Sequence, residues 1–265
     1  MISAAQVAST AFATRMYPAL VCLREVTRSS PSAAAWQAFG RVALDIAGYF
    51  STGDDILEEA IGALRNAISL RNSEREPAEW ATAQIDCGRA LFALSIYPSD
   101  RDALKRDGVE CYRKALSVLS REREPELWAQ ATAALASSCP QEQRLDALRA
   151  AVAALSEDCF QEQRIPLMTE LCFLLIEARA SVAETRAAFE AEISLLEARK
   201  EYGYWTQWLD AQSSYGRWLI EVNDPSAAVR VLGAALEACA EGNEEERMTR
   251  DNLTLALEKA KRANH

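Results

Sequence analysis

Four carboxylates near residue 54 are the side chains whose types and spacing best suit metal chemistry. Asp54, Asp55, Glu58 and Glu59 place paired carboxylates one helical turn apart, and paired oxygen ligands suit Mg²⁺. The same residues follow Gly53 at the start of a predicted helix, where the helix dipole favours acidic side chains. Because the sequence contains no second acidic motif of this kind, we interpret them as a helix N-terminus and predict no metal site.

The string from Asp54 to Glu59 also resembles the acidic helix motif with which all-helical isoprenoid synthases hold magnesium and diphosphate. That resemblance would imply a magnesium-dependent enzyme with a diphosphate substrate. It is confined to this one string, and the helical repeats elsewhere in the chain contradict the synthase fold. The helix N-terminus therefore remains the preferred interpretation.

Histidine and cysteine offer little further chemistry. The only histidine is His265, the last residue, so a Ser-His or Cys-His pair would take its base from a frayed terminus. The seven cysteines occur singly in apolar stretches, which is typical of reduced core thiols in a cytoplasmic protein. The sequence predicts no enzyme activity, no cofactor and no histidine-based metal site.

The composition limits the classes of partner. A formal net charge of -10 and a pI near 4.9 argue against nucleic acid and against an anionic membrane surface, and favour a basic or neutral protein. No segment approaches the roughly 18 uncharged apolar residues of a membrane span. Residues 1–15 lack acidic side chains, as presequences do, but their single arginine favours a first helix packed on the rest.

Apolar spacing predicts an all-α protein. Leu57, Ile61, Leu64 and Ile68 recur at three and four positions, and sustained alternation of apolar and polar residues is hard to find. Proline, glycine and N-cap residues divide the chain into pieces of helical length. The predicted helices are 3–28, 32–50, 54–72, 77–96, 101–121, 125–138, 141–157, 161–180, 182–202, 204–221, 224–240 and 244–262.

One helix junction recurs 48 positions along the chain. Arg75-Glu76-Pro77-Ala78-Glu79-Trp80-Ala81 is followed by Arg123-Glu124-Pro125-Glu126-Leu127-Trp128-Ala129, each after an Ala-hydrophobic run. A junction restated at a fixed interval indicates a stacked array, in which each unit buries its apolar face against its neighbours.

The spacing of small and large residues resembles that of the tetratricopeptide repeat. Gly216, Leu219, Ala228, Leu232 and Ala235 carry this resemblance most clearly. It recurs at Cys172, Leu175, Ala188 and Ala191, and again at Gly88, Leu91, Tyr112 and Ala115. The chain is similar to the bacterial type of this family with such Pro-Trp junctions, although its repeats are longer than the family's.

The resemblance implies a right-handed α-α superhelix, or tetratricopeptide-like solenoid, of about six antiparallel hairpins. We predict a single domain over residues 1–265, with an N-terminal helix at 1–30, repeats at 31–240 and a capping helix at 244–262. Members of the family generally bind peptides or partner helices on the concave face lined by first helices. The Lys and Asn of the family's clamp for C-terminal carboxylates are missing here, which disfavours chaperone tails as ligands.

Two sets of residues are candidates for partner binding. The first is a groove on the concave face, formed by Gln84, Arg89, Gln130, Phe173, Arg217 and Arg41. Its arginines and glutamines suit an acidic or extended peptide, but the arginines are alternatively paired with Asp45, Asp86 and Asp210. The second is an exposed aromatic patch of Tyr202, Tyr204, Trp205 and Trp208, for which burial in the core is the alternative.

The sequence therefore predicts a non-enzymatic, cytoplasmic scaffold or adaptor that binds a protein or peptide. Trp36, Trp80, Trp128 and Trp208 start equivalent predicted first helices, where packing wedges between hairpins are the simplest interpretation. Two other classes remain open: a regulatory or sensor domain with a small molecule inside the superhelix, and a structural subunit of a larger complex. The first requires a deep apolar pocket, and the second a large exposed apolar patch outside the groove.

Overall fold

The computed structural model describes the backbone of residues 4–47, 53–96, 101–155, 160–199, 203–239 and 244–264. Side chains are described within these ranges, apart from residues 4–15 and 244–249. Tyr202 and His265, both singled out above, lie outside the described residues.

The described residues form α-helices and no strands, which confirms the all-α prediction. The helices are α1 (Ala4–Ser29), α2 (Ala33–Ala47), α3 (Gly53–Ser69), α4 (Pro77–Leu94), α5 (Arg101–Val118), α6 (Pro125–Ala136), α7 (Gln141–Ala154), α8 (Gln161–Glu177), α9 (Val182–Glu197), α10 (Trp205–Glu221), α11 (Pro225–Ala238) and α12 (Glu244–Ala263). The predicted first residues of the helices agree closely with those in the structure, because N-cap and proline signals act within a few residues. Several helices end earlier than predicted, because their last residues form turns instead.

The chain divides into two compact units, residues 1–140 with α1 to α6 and residues 141–265 with α7 to α12. In unit 1 each helix packs on the next, and α4 also contacts α2 and α6. In unit 2 the pairs α7–α8, α8–α9, α9–α10, α10–α11 and α11–α12 pack together, and α10 also contacts α12. Within each unit, short connections between consecutive helices give the antiparallel pairing expected of a helical repeat.

The repeated junction folds in the same way at both of its copies. At the first copy, Asn72 Oδ1 accepts the backbone N–H of Arg75 at 3.1 Å, and at the second, Ser120 Oγ accepts that of Arg123 at 3.3 Å. Glu76 has φ -131° and ψ 58°, and Glu124 has φ -125° and ψ 59°. A proline then occupies the first helical turn, where its missing N–H costs nothing.

The two units bury their apolar residues differently. Unit 1 has a series of small cores between neighbouring helices, such as that of Leu20, Phe39 and Ile46 between α1, α2 and α3. Unit 2 has one larger core that runs from Ile165 on α8 to Ala260 on α12. A series of local cores is what an array predicts, since each helix layer is covered only by its neighbours.

Small residues lie where paired helices cross, as in a tetratricopeptide-like repeat. A Cβ atom on Gly40 of α2 would lie 2.5 Å from Cγ of Leu64 on α3, so only glycine permits this approach. Gly216 of α10 meets the side chain of Leu232 on α11 in the same way. The Gly216–Leu232 contact joins two of the residues on which the family resemblance rests.

Candidate functional site

Four helices, α2, α4, α8 and α10, each have a small buried residue followed directly by an exposed one. The small residues are Gly40, Gly88, Cys172 and Gly216. The exposed residues are Arg41, Arg89, Phe173 and Arg217, which include all three predicted groove arginines. A common position on successive first helices gives these side chains a common face within each unit. The residues of the two units are described separately below.

In unit 1, Arg41 and Arg89 share one buried carboxylate. Asp86 lies between them, with Arg41 Nε 3.7 Å from its Oδ2 and Arg89 Nη1 3.7 Å from its Oδ1. Gln37 Nε2 donates a hydrogen bond of 3.4 Å to Asp86 Oδ2. Burial raises the pKa of Asp86, although Arg41, Gln37 and Arg89 each act to lower it. The proposed pairing of arginines with Asp86 is therefore present, and one carboxylate serves both.

The two predicted groove glutamines of unit 1 differ in exposure. Gln84 is only 4% exposed, because α4 turns this position inward, and the structure corrects its placement on an accessible surface. Gln130 is exposed, and its Nε2 donates to Oε1 of Glu126 in the same helix at 3.2 Å.

In unit 2, three adjoining depressions form a groove, which we call the unit-2 groove. Their volumes are about 710, 450 and 450 Å³. The first two share Thr169, Phe173 and Gln207, and the last two share Arg217 and Asn252. The shared residues belong to α8, α10 and α12, so alternate helices line a continuous surface. The family resemblance assigns first helices to this role.

The middle depression, here called the central pocket, combines apolar and polar groups. Its lining consists of Thr169, Cys172, Phe173, Phe189, Glu192, Gln207, Asp210, Ala211, Ser213, Ser214, Arg217 and Asn252. Phe173 is 55% exposed. Among the described side chains, Arg217 has no ion-pair partner, since Asp210 does not pair with it. Phe173 and Arg217, both predicted as groove residues, are thus brought together in one pocket.

The wall of the central pocket contains a buried carboxylate that the sequence analysis missed. Glu192 of α9 is 2% exposed, it accepts a hydrogen bond from Thr169 Oγ1, and it lines the pocket beside the thiol of Cys172. Burial raises its pKa, against the lowering effect of the Thr169 hydroxyl and the Cys172 thiol. Its position could have given a signal, because Phe189, Glu192 and Leu196 share the buried stripe of α9, and a charged residue in such a stripe is unusual.

The aromatic residues between 202 and 218 belong mainly to the core of unit 2. Trp208 is 3% exposed, and Tyr215 and Trp218 are also buried, with their rings against Phe189. This corrects the assignment of Trp208 to an exposed patch: its large apolar ring is covered by neighbouring helices. Tyr204 and Trp205 are half-buried and pack against the same core, and Trp205 stacks on Trp208 at 5.4 Å.

The first-helix tryptophans do not all occupy one register. Trp80, Trp128 and Trp208 lie two turns before Gly88, Ala136 and Gly216 respectively, whereas Trp36 lies one turn before Gly40. Trp128 is half-buried between helices and lies under Arg121, whose Cζ is 5.6 Å from the ring centroid. The predicted equivalence of Trp36 is therefore wrong by one turn.

The residues considered for chemistry lie apart from the groove. Asp54 and Asp55 are exposed in the first turn of α3, and Glu59 pairs with Arg24 of α1 at 2.5 Å. The described residues contain no group of three or more His, Cys, Asp or Glu side chains placed to hold a metal ion. Of the cysteines predicted to be buried, Cys22 is exposed. None of the described helices combines the length and apolar character required to cross a bilayer.

Comparisons with known proteins give little beyond this geometry. No family model and no curated protein matches the sequence. A chain in the crystal structure of the APC/C hetero-tetramer Cut9-Hcn1 is 12% identical with a TM-score of 0.38, over 92% of this chain and 46% of that one. A chain from the computational design of self-assembling cyclic protein homooligomers is 14% identical with a TM-score of 0.26, over 97% and 95%. This chain thus spans under half of its Cut9-Hcn1 match, and likeness at these scores carries no argument.

Proposed function

We propose that this protein is a non-enzymatic, cytoplasmic interaction scaffold of the bacterial tetratricopeptide-like type, and that its unit-2 groove binds an extended segment of a partner protein. The observation that carries the proposal is the continuity of the three depressions across α8, α10 and α12. A closed cavity would suit a compact small molecule, whereas a continuous groove suits a chain.

The dimensions of the groove support a peptide of about seven residues. Helices that pack directly lie on the order of 10 Å apart axis to axis, and three lining helices at that spacing span about 20 Å. An extended chain rises about 3.3 Å per residue, and six or seven residues cover that span. The neutral polar groups of Gln207, Ser213 and Asn252 are suited to hydrogen bonding with a peptide backbone.

Two side chains of the groove are proposed as anchors. The exposed ring of Phe173 offers an apolar surface shared by two of the depressions. The guanidinium of Arg217, which pairs with no acidic group among the described side chains, suits a carbonyl or carboxylate of the bound segment. Such anchors are needed because ordering a flexible peptide costs roughly 2–5 kcal/mol.

The experiment is a selection of random seven-residue peptides on the purified full chain, followed by fluorescence anisotropy with the selected peptides. We expect Phe173→Ala and Arg217→Glu to weaken binding roughly tenfold or more each, as for central interface anchors. Arg230→Glu is the matched control, because Arg230 is exposed on α11 and does not line the groove. A library that yields no binding peptide, or peptides that bind both groove variants at full strength, would overturn the proposal.

One observation favours a second function, the regulatory domain with a small-molecule ligand. The central pocket has a volume of about 450 Å³, within the range of roughly 300–1,000 Å³ that small-molecule sites occupy. A compound that binds the pocket without any peptide in competition would support this function. The scaffold would be supported if Phe173→Ala abolished binding of a selected peptide and no compound displaced that peptide from the wild-type protein.

A further inference from the structure

Among the described side chains that line the central pocket, the carboxylate of Glu192 is the one charged group almost wholly removed from solvent. Its hydrogen-bond donor Thr169 Oγ1 and the Cys172 thiol beside it are both neutral groups of α8. Neither group compensates a full negative charge. A buried ionised carboxylate without a cationic partner is costly, and proteins generally pair such a group.

No basic side chain of the described chain pairs with Glu192. The charged groups that face the central pocket beside it are Asp210 and Arg217, both on α10, and α12 contributes the neutral Asn252. Arg217 does not approach Glu192 within ion-pair distance.

The walls of the pocket also suit an aliphatic stem with a positive head. Phe173 and Phe189 line it from α8 and α9. Methylene groups of a long basic side chain pack on such rings, and an ammonium is attracted to an aromatic face. The protein as a whole has a formal net charge of -10, which favours the approach of a basic segment.

We propose that the central pocket receives a lysine side chain of the bound peptide, whose ammonium forms an ion pair with Glu192. This inference rests on the proposed function and specifies the partner's chemistry at one position. Lysine is favoured over arginine because an ammonium needs a single contact, whereas a bidentate guanidinium needs free sites on both carboxylate oxygens, one of which already accepts from Thr169. Arg217, at the border with the next depression, remains available to the peptide backbone or to a carboxylate.

The test uses the full chain and a fluorescein-labelled library of seven-residue peptides. The central residue of each sub-library is fixed as lysine, arginine, norleucine or glutamate, and the other positions are random. We expect the lysine sub-library to give the highest enrichment. For a selected lysine peptide, replacement of lysine by norleucine should weaken binding roughly tenfold in the wild type and under about twofold in Glu192→Gln.

Glu177→Gln is the matched control, because Glu177 is an exposed carboxylate that lines a flanking depression of the same groove. It removes the same charge and should leave the preference for lysine intact. A preference for lysine that survives Glu192→Gln, or is lost equally in Glu177→Gln, would overturn the inference.

A readout that uses only wild-type protein keeps the test independent of variant folding. Since ammonium binding favours ionised Glu192, affinity for the lysine peptide should rise as pH increases through the titration of Glu192. Affinity for the norleucine peptide should not rise. Equal pH dependence for both peptides would count against the ion pair. A different result is that selected peptides depend on Phe173 and Arg217 but show the same pH dependence with lysine and with norleucine. That result would support the proposed groove function and contradict only the ion pair with Glu192.

Discussion

The ring of Tyr112 fills the space that a side chain on Gly88 would need. A Cβ atom on Gly88 of α4 would lie 2.6 Å from Cε1 of Tyr112 on α5. Phe92 stacks on the same tyrosine ring, with centroids 5.7 Å apart and an interplanar angle of 17°. The close approach of α4 and α5 therefore depends on the absence of a side chain at residue 88.

Replacing Gly88 with alanine is expected to destabilise the protein by about 1–3 kcal/mol, because the added methyl group overpacks the crossing of α4 and α5. Gly62→Ala is the control. Gly62 lies inside α3 with nothing within 4 Å of an added Cβ, so alanine there should stabilise by about 0.5–1 kcal/mol. Urea denaturation of both variants gives the two free energies of unfolding. A change of the same sign in the free energy of unfolding of both variants would contradict the close crossing of α4 and α5.

Arg41 and Arg89 should be energetically coupled through Asp86. Each arginine is more than half exposed, so either single alanine variant should cost under about 1 kcal/mol. The double variant should cost more than the sum, because it leaves a buried carboxylate with only Gln37 as its partner. A double-mutant cycle by urea denaturation measures this excess. Arg41→Ala and Arg113→Ala, whose arginines share no partner among the described side chains, should be additive when combined.

Glu192 should make the protein less stable as pH rises. Its pKa is raised in the folded state, so the folded protein holds this proton more tightly than the unfolded chain does. The free energy of unfolding should fall as pH rises from the ordinary carboxyl pKa of about 4.3 through the raised pKa, and then level off. Glu192→Gln should lack that fall and be the more stable protein at neutral pH. Parallel stability curves for the two proteins would contradict this assignment.

Asp224 should act in the opposite direction. Its Oδ2 accepts a hydrogen bond of 2.8 Å from Arg186, its Oδ1 accepts the backbone N–H of Ala227 at 3.1 Å, and both interactions lower its pKa. Its stabilising effect is present above the unfolded pKa of about 3.9 and is lost as pH falls through the folded pKa.

Two substitutions at Asp224 separate the helix cap from the ion pair. Asp224→Asn keeps an N-cap acceptor for α11 and should cost under about 1 kcal/mol, whereas Asp224→Ala also loses the cap and should cost about 1 kcal/mol more. Denaturation at neutral pH measures both. In acid, below the folded pKa, the asparagine variant should match the wild type, and a persistent difference there would point to a cause other than charge.

The sequence determined the helices and the helix-pair packing. Junctions such as that at Pro77 and Pro125 begin helices through local chemistry, and apolar residues at three and four positions give each helix one buried stripe. These signals act within a few residues, so they can be interpreted without knowing what the helix will contact. The small residues Gly88 and Gly216 indicated the crossings for the same reason.

The tertiary structure decided which side chains are exposed and which share a partner. Arg41 and Arg89 looked like independent groove arginines, Trp208 like part of an exposed patch, and Glu192 drew no notice. Each outcome depends on the helices that cover the residue, since burial sets whether a ring is core and whether a carboxylate is desolvated. Helix propensity is local, whereas burial and electrostatic pairing are properties of packed neighbours, and the sequence does not specify them one residue at a time.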